Sequence, residues 1–351
     1  MTHSSEPSDL SEMPEGAPMD TQAVTIAVDA LGGDHAPAMV LAGVTAALDA
    51  DPSLYVALVG PADLIEPFAA IHDRVRPVVA TDVIGMDEHP AAAVRSKKDS
   101  TIVVGCRLVK DGAAAGFFSA GNTGACMAAA TLIMGRLPGV LRPAIATVVP
   151  ASAKPSVLLD IGANADCKPE NLVQFAHMGR AYAQAVLDVP EPSVGLLNIG
   201  EEPTKGSQLA LEAHRLMGAT VPGFIGNVEG RDIPTGAVDV IVTDGFTGNV
   251  VLKLLEGLAR TLLSQVKDAM TSTTVRTAAA AVLKRPLVEL RNRIDPETYG
   301  GAPLLGVAGV CSIGHGSSGV NGITNGIAIS ARAVRGGLTA RIAAAISADA
   351  E

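Results

Sequence analysis

The stretch LLDIGANADCKPENLVQFAHMG, Leu158–Gly179, holds the fold in miniature: an aliphatic run, a polar turn with a glycine, then a helical pattern. Val157–Leu159 reads as a strand, Asp160–Asn164 as the turn that leaves it and Asn171–Leu187 as a helix. The same order recurs on both sides of it. Further strands are expected at Thr25–Val28, Leu54–Val59, Gly116–Ser119, Ile145–Val149, Val194–Asn198, Phe224–Gly226, Val238–Thr243 and Val307–Ser312. Helical patterns lie between many of them, as at Met39–Leu48, Thr101–Lys110, Thr123–Met134 and Gln208–Met217. Strand then helix, repeated, implies an α/β fold with a mostly parallel sheet covered on both faces. Such sheets take their ligands at the carboxyl ends of the strands.

Glycine-rich clusters stand where that rule wants them: Asp29–His35, Ser119–Gly124, Asp160–Asn164, Asn198–Gly206, Asp244–Asn249 and Gly314–Gly319, each after a strand-like run. Glycine there reaches positive φ and lets backbone N–H groups approach an anion at a helix start. One such cluster is an ordinary tight turn, whereas six of one kind imply a single shared site.

One segment breaks the alternation. From Val251 to Asp295 the β signal fades, and Val251, Leu255, Leu258, Leu262, Val266 and Met270 mark one face of a long helix. A second helical stretch runs from Val275 to Ile294, broken by Pro286. This hairpin, about 251–295, carries eight Lys and Arg against four Asp and Glu, in a chain of 351 residues whose net charge is −10. A basic amphipathic hairpin fits an anionic lipid surface or an acidic partner, and equally a dimerisation hairpin with solvated charges.

Composition narrows the function. Hydrophobic residues at 48% and charged residues at 18% exclude a disordered chain, and the −10 charge with no Trp, 3 Tyr and 6 Phe argues against nucleic acid as a partner. Residues 1–23, with acidic side chains among Ser and Pro and no Lys or Arg, read as a disordered acidic tail, the reverse of a secretory signal. Length suits about two domains or one large α/β unit, and residues 24–351 are expected to form a single α/β domain that includes the hairpin. The four cysteines lie far apart with no C-x-x-C pair, as for reduced, mostly buried thiols of a cytosolic protein. The longest weakly polar stretch, Ala113–Gly135, is interrupted by Ser119, Asn122, Thr123 and glycines, and makes a poor membrane span.

Familiar cofactor signatures are missing: there is no Gly-Lys dipeptide and hence no P-loop, no H-E-x-x-H and no G-x-S-x-G. Gly314–Gly319 matches G-x-G-x-x-G, but no acidic residue lies between Gly319 and Asp349 to hold a ribose, so a nicotinamide cofactor is discounted and none is expected. What the clusters hold is polar: Gly32, Gly33, Asp34 and His35; Asn122, Thr123 and Gly124; Asp160, Asn164 and Lys168; Glu201, Glu202 and Lys205; Asp244, Thr247 and Asn249; His315, Ser317 and Ser318. Many are donors. The set suits phosphate or another small oxyanion better than a metal, which needs convergent carboxylates or a Cys/His group. His35 and His315 read as turn histidines or as catalytic ones. Lys168 and Lys205 read as solvated lysines, except that a cation near a helix start is unfavourable unless an anion lies there.

At these residues the sequence resembles the bacterial phosphate acyltransferases. The match runs through DALGGDHAP (Asp29–Pro37), SAGNTGA (Ser119–Ala125), the opening stretch, LNIGEEPTKG (Leu197–Gly206), DGFTGNVVLKLLEG (Asp244–Gly257), YGGAPLLGV (Tyr299–Val307) and HGSS (His315–Ser318), in family order from residue 24 to about 335. Leu31 stands where the family commonly has Met, and the stretch after HGSS is unusually rich in Gly and Asn. The resemblance implies a three-layer α/β/α fold like those of phosphotransacetylases and isopropylmalate-type dehydrogenases, a homodimer, and a projecting hairpin that meets the membrane peripherally from the cytoplasm. It implies conversion of acyl-acyl carrier protein and inorganic phosphate into acyl phosphate. A membrane glycerol-3-phosphate acyltransferase then consumes that product in phospholipid synthesis.

On this reading the glycine turns hold phosphate against a thioester carbonyl. The turns around Asn122, Thr123 and Asn164 stabilise the oxyanion, while His35, His315, Lys168 or Lys205 assists the leaving thiolate. Two alternatives stay open on the residues alone: a NAD(P)-dependent dehydrogenase of related fold, and a noncatalytic lipid-surface scaffold.

Overall fold

A computed structural model describes residues 23–349 except 275, 277–279, 281, 284, 289–297 and 299. The expected acidic tail, apart from Ala23, lies outside the described residues, as do Lys284, Arg291 and Arg293 of the expected hairpin.

The first half of the chain runs β1 (Val24–Asp29), α1 (Ala38–Ala50), β2 (Leu54–Gly60), α2 (Ala62–Ala69), β3 (Val75–Val79), α3 (Pro90–Ser96), α4 (Thr101–Lys110), β4 (Gly116–Ser119) and α5 (Thr123–Ala129), which continues as a π-turn over Ala130–Met134. The second runs β5 (Ala144–Val149), β6 (Ser156–Leu159), α6 (Pro169–Val186), β7 (Val194–Asn198), α7 (Gln208–Thr220), β8 (Phe224–Glu229), β9 (Val240–Val242) and α8 (Gly245–Thr271). After residues 272–301 come β10 (Ala302–Leu305), β11 (Val310–Ile313), α9 (Val320–Arg335) and α10 (Leu338–Asp349).

All eleven strands join one sheet in the order β3-β2-β1-β4-β11-β10-β5-β6-β9-β7-β8. Seven of the ten pairings are parallel, as expected. The other three, β11 with β10, β10 with β5 and β5 with β6, are antiparallel and consecutive. Three reversals turn the sense of the second half against that of the first. Strands such as VTIAVD and LYVALVG are almost continuously apolar because both faces are covered.

On one face Ala27, Ala57, Phe117, Cys311, Leu158 and Ile241 pack with α4, α5 and the start of α8. On the other, Ile26, Val56 and Phe118 meet α1 and α9, while Val157, Leu196 and Val240 meet α6, α7 and α10. The architecture is therefore three-layer α/β/α. The Gly- and Asn-rich stretch after His315 forms a regular helix, α9. Its Gly326 lies so close to the sheet that a Cβ there would meet the Phe118 ring at 2.1 Å.

Two strands escape the sequence pattern, β3 (VRPVV) and β10 (APLL), each carrying a proline. Pro77 is tolerated because β3 is the edge strand. The last strand, expected at Val307–Ser312, starts at Val310 because Gly306 and Gly309 hold positive φ of 88° and 155° and carry the chain round a turn.

Candidate functional site

The reversal of strand sense sorts the six glycine turns. Three follow β1, β4 and β11, whose carboxyl ends point one way along the sheet; three follow β6, β7 and β9, whose carboxyl ends point the other way. The single cradle expected from the sequence is thus two groups.

In the first group, β1 ends on Asp29, a buried carboxylate. Its Oδ1 accepts from the Leu31 N–H at 3.0 Å and its Oδ2 from the Ser119 hydroxyl at 2.7 Å. Burial raises its pKa, and the hydrogen bond from Ser119 opposes the rise. Ser119 Oγ in turn accepts from the Gly121 N–H at 3.0 Å. The third turn is tied in by Gly314 N–H to Ser119 O at 2.8 Å and Asp34 N–H to Gly316 O at 2.7 Å. Gly33 has φ +107°, and a Cβ on it would lie 3.0 Å from Gly316 O, so two backbones meet where a side chain has no room.

Asn122 caps α5. Its Oδ1 accepts from Ala125 N–H, and its amide donates to Gly85 O at 3.0 Å and Met86 O at 3.2 Å. Both amide protons are engaged, so the donors this turn can offer an oxyanion are those of its backbone. The N–H groups of Thr123 and Gly124, first in the helix, meet no acceptor among the described residues. His35, Asp34, His315 and Ser317, in the neighbouring turns, are exposed. His315 Nδ1 accepts from Ser317 N–H at 3.2 Å and lies 2.8 Å from Ser317 Oγ. Because a backbone N–H only donates, the neutral ring carries its proton on Nε2, available to a ligand.

In the second group Asp160 is fully buried. Its Oδ1 accepts from the N–H groups of Ile145, Gly162 and Ala163, and its Oδ2 from Asn164 N–H at 2.7 Å and Asn164 Nδ2 at 2.9 Å. Burial raises its pKa against those bonds. Its two oxygens are taken up by these five internal donors, so Asp160 holds the turn. Asn164 gives its other amide proton to Pro143 O at 2.8 Å, so it too lacks a free donor for an oxyanion.

Asp244 caps α8, accepting Thr247 N–H at 2.9 Å and Thr247 Oγ1 at 2.8 Å, which commits both side chains to the helix start. Glu201 pairs with Arg231 on open surface at 3.2 Å, a solvated ion pair. Lys168, Lys205 and Asn249 are exposed, and neither lysine has an ion pair among the described residues. Lys168 stands at the cap of α6, where a cation meets the positive end of the helix.

The family described as Fatty acid synthesis protein matches residues 24–341. A phosphate acyltransferase of Desulfitobacterium hafniense (strain Y51) is 49% identical over 321 residues, 90% of this chain and 96% of the relative. One of Acidobacterium capsulatum is 47% identical over 331 residues, 93% and 98% of the two chains. The chain belongs to the phosphate acyltransferase family. It is an acyltransferase enzyme of lipid synthesis.

In backbone, this phosphate acyltransferase family member resembles a phosphotransacetylase of Streptococcus pyogenes, TM-score 0.59 at 16% identity over 90% of this chain and 94% of the other. It also resembles the EutD phosphotransacetylase of Staphylococcus aureus, TM-score 0.58 at 14% identity over 90% and 96%. These likenesses concern the fold. Among the described residues no group of three His, Cys, Asp or Glu is placed to share a metal, and no helix is long and apolar enough to cross a membrane.

Sequence reading passed over Asp29 and Ser119, which join the turns. The signal was present: both are polar residues closing strands that are otherwise apolar, VTIAVD and GFFS. Such residues are buried, and buried polar groups must be paired.

Proposed function

We propose that the chain transfers the acyl group of acyl-acyl carrier protein to inorganic phosphate. One observation carries this: three glycine turns at β1, β4 and β11 are tied into one unit that leaves the α5 N–H groups and His315 Nε2 free, a donor set suited to an oxyanion. The thiols offer no rival nucleophile. Cys106, Cys126 and Cys311 are buried, and burial pushes Cys311 up to about 12 and the half-buried Cys167 to about 11.

A phosphate oxygen attacks the thioester carbon, forming a C–O bond and a tetrahedral oxyanion. Collapse breaks the C–S bond, and the thiolate takes the proton that the attacking hydrogen phosphate gives up, leaving acyl phosphate and free thiol, while His315 Nε2–H donates a hydrogen bond to the oxyanion and keeps its proton. Atoms and charge balance with no covalent enzyme intermediate and no cofactor. We assign the free ammonium groups of Lys168 and Lys205 to an anionic part of the acyl donor, and His35 to the rim of the phosphate seat. The reading includes a cytoplasmic homodimer that meets the membrane peripherally through the basic hairpin. There a membrane glycerol-3-phosphate acyltransferase takes the acyl phosphate into phospholipid.

The test is thiol release from acyl carrier substrate with and without phosphate. Release that depends on phosphate, with acyl phosphate as product, supports the reading; equal release without phosphate overturns it.

A further inference from the structure

Ser119 stands where three chain segments meet. Its hydroxyl donates to Asp29 Oδ2 at 2.7 Å and accepts from Gly121 N–H at 3.0 Å, while its carbonyl takes Gly314 N–H at 2.8 Å. Asp29 reaches back to Leu31 N–H at 3.0 Å. One carboxylate and one hydroxyl therefore connect the turn after β1 to the turn after β4, while backbone carbonyls alone hold the turn after β11 beside them.

The packing leaves this relay no slack. A Cβ at Gly32 would lie 2.8 Å from Ser119 Oγ and 3.0 Å from Asp29 Oδ2. Both partners are buried, Asp29 at 3% and Ser119 at 0% exposure, closed off from solvent. A desolvated carboxylate costs stability that a neutral side chain of the same shape would not. A residue kept at such a cost beside a ligand seat is explained by what it positions.

We propose that Asp29 and Ser119 are positioning residues for the acceptor phosphate: their side chains fix the turn after β1 against the turn after β4, and so the aim of the Thr123 and Gly124 N–H groups. The inference rests on the reading of phosphate as nucleophile. It predicts a particular kinetic split. Loosening the relay blurs the phosphate seat while leaving the acyl donor's binding alone.

The experiment measures KM for phosphate and for the acyl carrier thioester separately, with thermal midpoints, on the wild type, Ser119→Ala and Asp29→Asn. Loss of one charge-assisted hydrogen bond in the relay is expected to raise the phosphate KM about tenfold or more, with the donor KM within about twofold. Asp29→Asn is expected to keep or raise the thermal midpoint at pH 7 while showing the same rise in phosphate KM. A purely structural role would instead lower the midpoint and scatter both KM values together, and that result overturns the proposal. So does an unchanged phosphate KM in both folded variants. Failure of the underlying reading shows separately, as wild-type thiol release that ignores phosphate.

Discussion

A methyl group added at Gly248 would sit 1.9 Å from the carbonyl oxygen of Asp160, and one at Gly245 would meet Asn164 O, Asn164 N and Asp160 Oδ2 at 2.7–2.8 Å. No rotamer relieves a Cβ clash with backbone. Gly248→Ala is expected to push the start of α8 off the Asp160 turn and to destabilise the chain by about 3 kcal/mol, measured by urea unfolding.

Ser317 gives a second residue-scale test. Its hydroxyl lies 2.8 Å from His315 Nδ1, but its own N–H also reaches that atom. Ser317→Ala should therefore keep the ring tautomer and lower kcat less than about tenfold, whereas His315→Ala loses about a hundredfold. A loss in Ser317→Ala as large as in His315→Ala would instead mark Ser317 as an acyl-accepting nucleophile.

Residue types told which turns were polar, and the glycine spacing told where backbones approach. They did not tell which donors remain free. Asn122 and Asn164 look alike in sequence to any oxyanion donor, yet both amides are engaged by carbonyls of Gly85, Met86 and Pro143, partners supplied from other segments.

Among the elements, α8 was legible from its period alone, because an amphipathic row survives any tertiary context. Which part of the row is covered was not legible. Val251 and Leu255 pack on the body, whereas Phe246, Val250, Leu254, Leu258, Leu262 and Val266, four residues apart, each leave about half or more of their surface open. The expected face thus divides: Val251 and Leu255 at its base serve the core, and Leu258, Leu262 and Val266 stay bare.

On the proposed peripheral attachment, this bare row and the cations of the hairpin meet anionic lipid together. Changing Lys284, Arg285, Arg291 and Arg293 to Glu should abolish salt-sensitive binding to anionic vesicles, and Leu258→Asp with Leu262→Asp should weaken binding at all salt concentrations. Equal vesicle binding by wild type and both variants would remove this role. The strands β3 and β10 were illegible for the opposite reason: runs of four or five residues with a central proline carry too little pattern, and the pairing with neighbours makes them strands.

At the scale of the whole molecule, the C-terminal helix is docked through a titratable contact. His177 of α6 is buried with Nε2 3.4 Å from Asp349 Oδ1 of α10. Burial lowers its pKa below the ordinary 6.5, Asp349 pulls it upward, and Arg180 adds to the lowering. Below pH 6.5 the unfolded chain takes up a proton that the native state resists. The stability this site contributes is therefore complete above 6.5 and is lost as pH falls toward the depressed native value.

The buried Asp29 and Asp160 act with the opposite sign. Their pKa values are raised, so their contribution is present below 3.8 and is lost as pH rises. Between pH 7 and pH 5.5 the two effects oppose each other, and His177→Gln should remove the falling part, so the variant's urea midpoint drops less, or rises more, than the wild type's. An identical pH slope in the variant would show that the contact is not the sensor.

The sheet order has one more consequence. Strand β4 lies between β1 and β11, and α9 packs on α1, so the N-terminal half is finished by residues 310–335, which leave the ribosome only after the whole second half. Until then the inner edge of β4 has no neighbour, and a nascent chain carries an open, apolar strand edge through most of its synthesis. The amino-terminal half is thus an obligate latecomer to its own native state: the chain's last quarter acts as the clasp that closes its first.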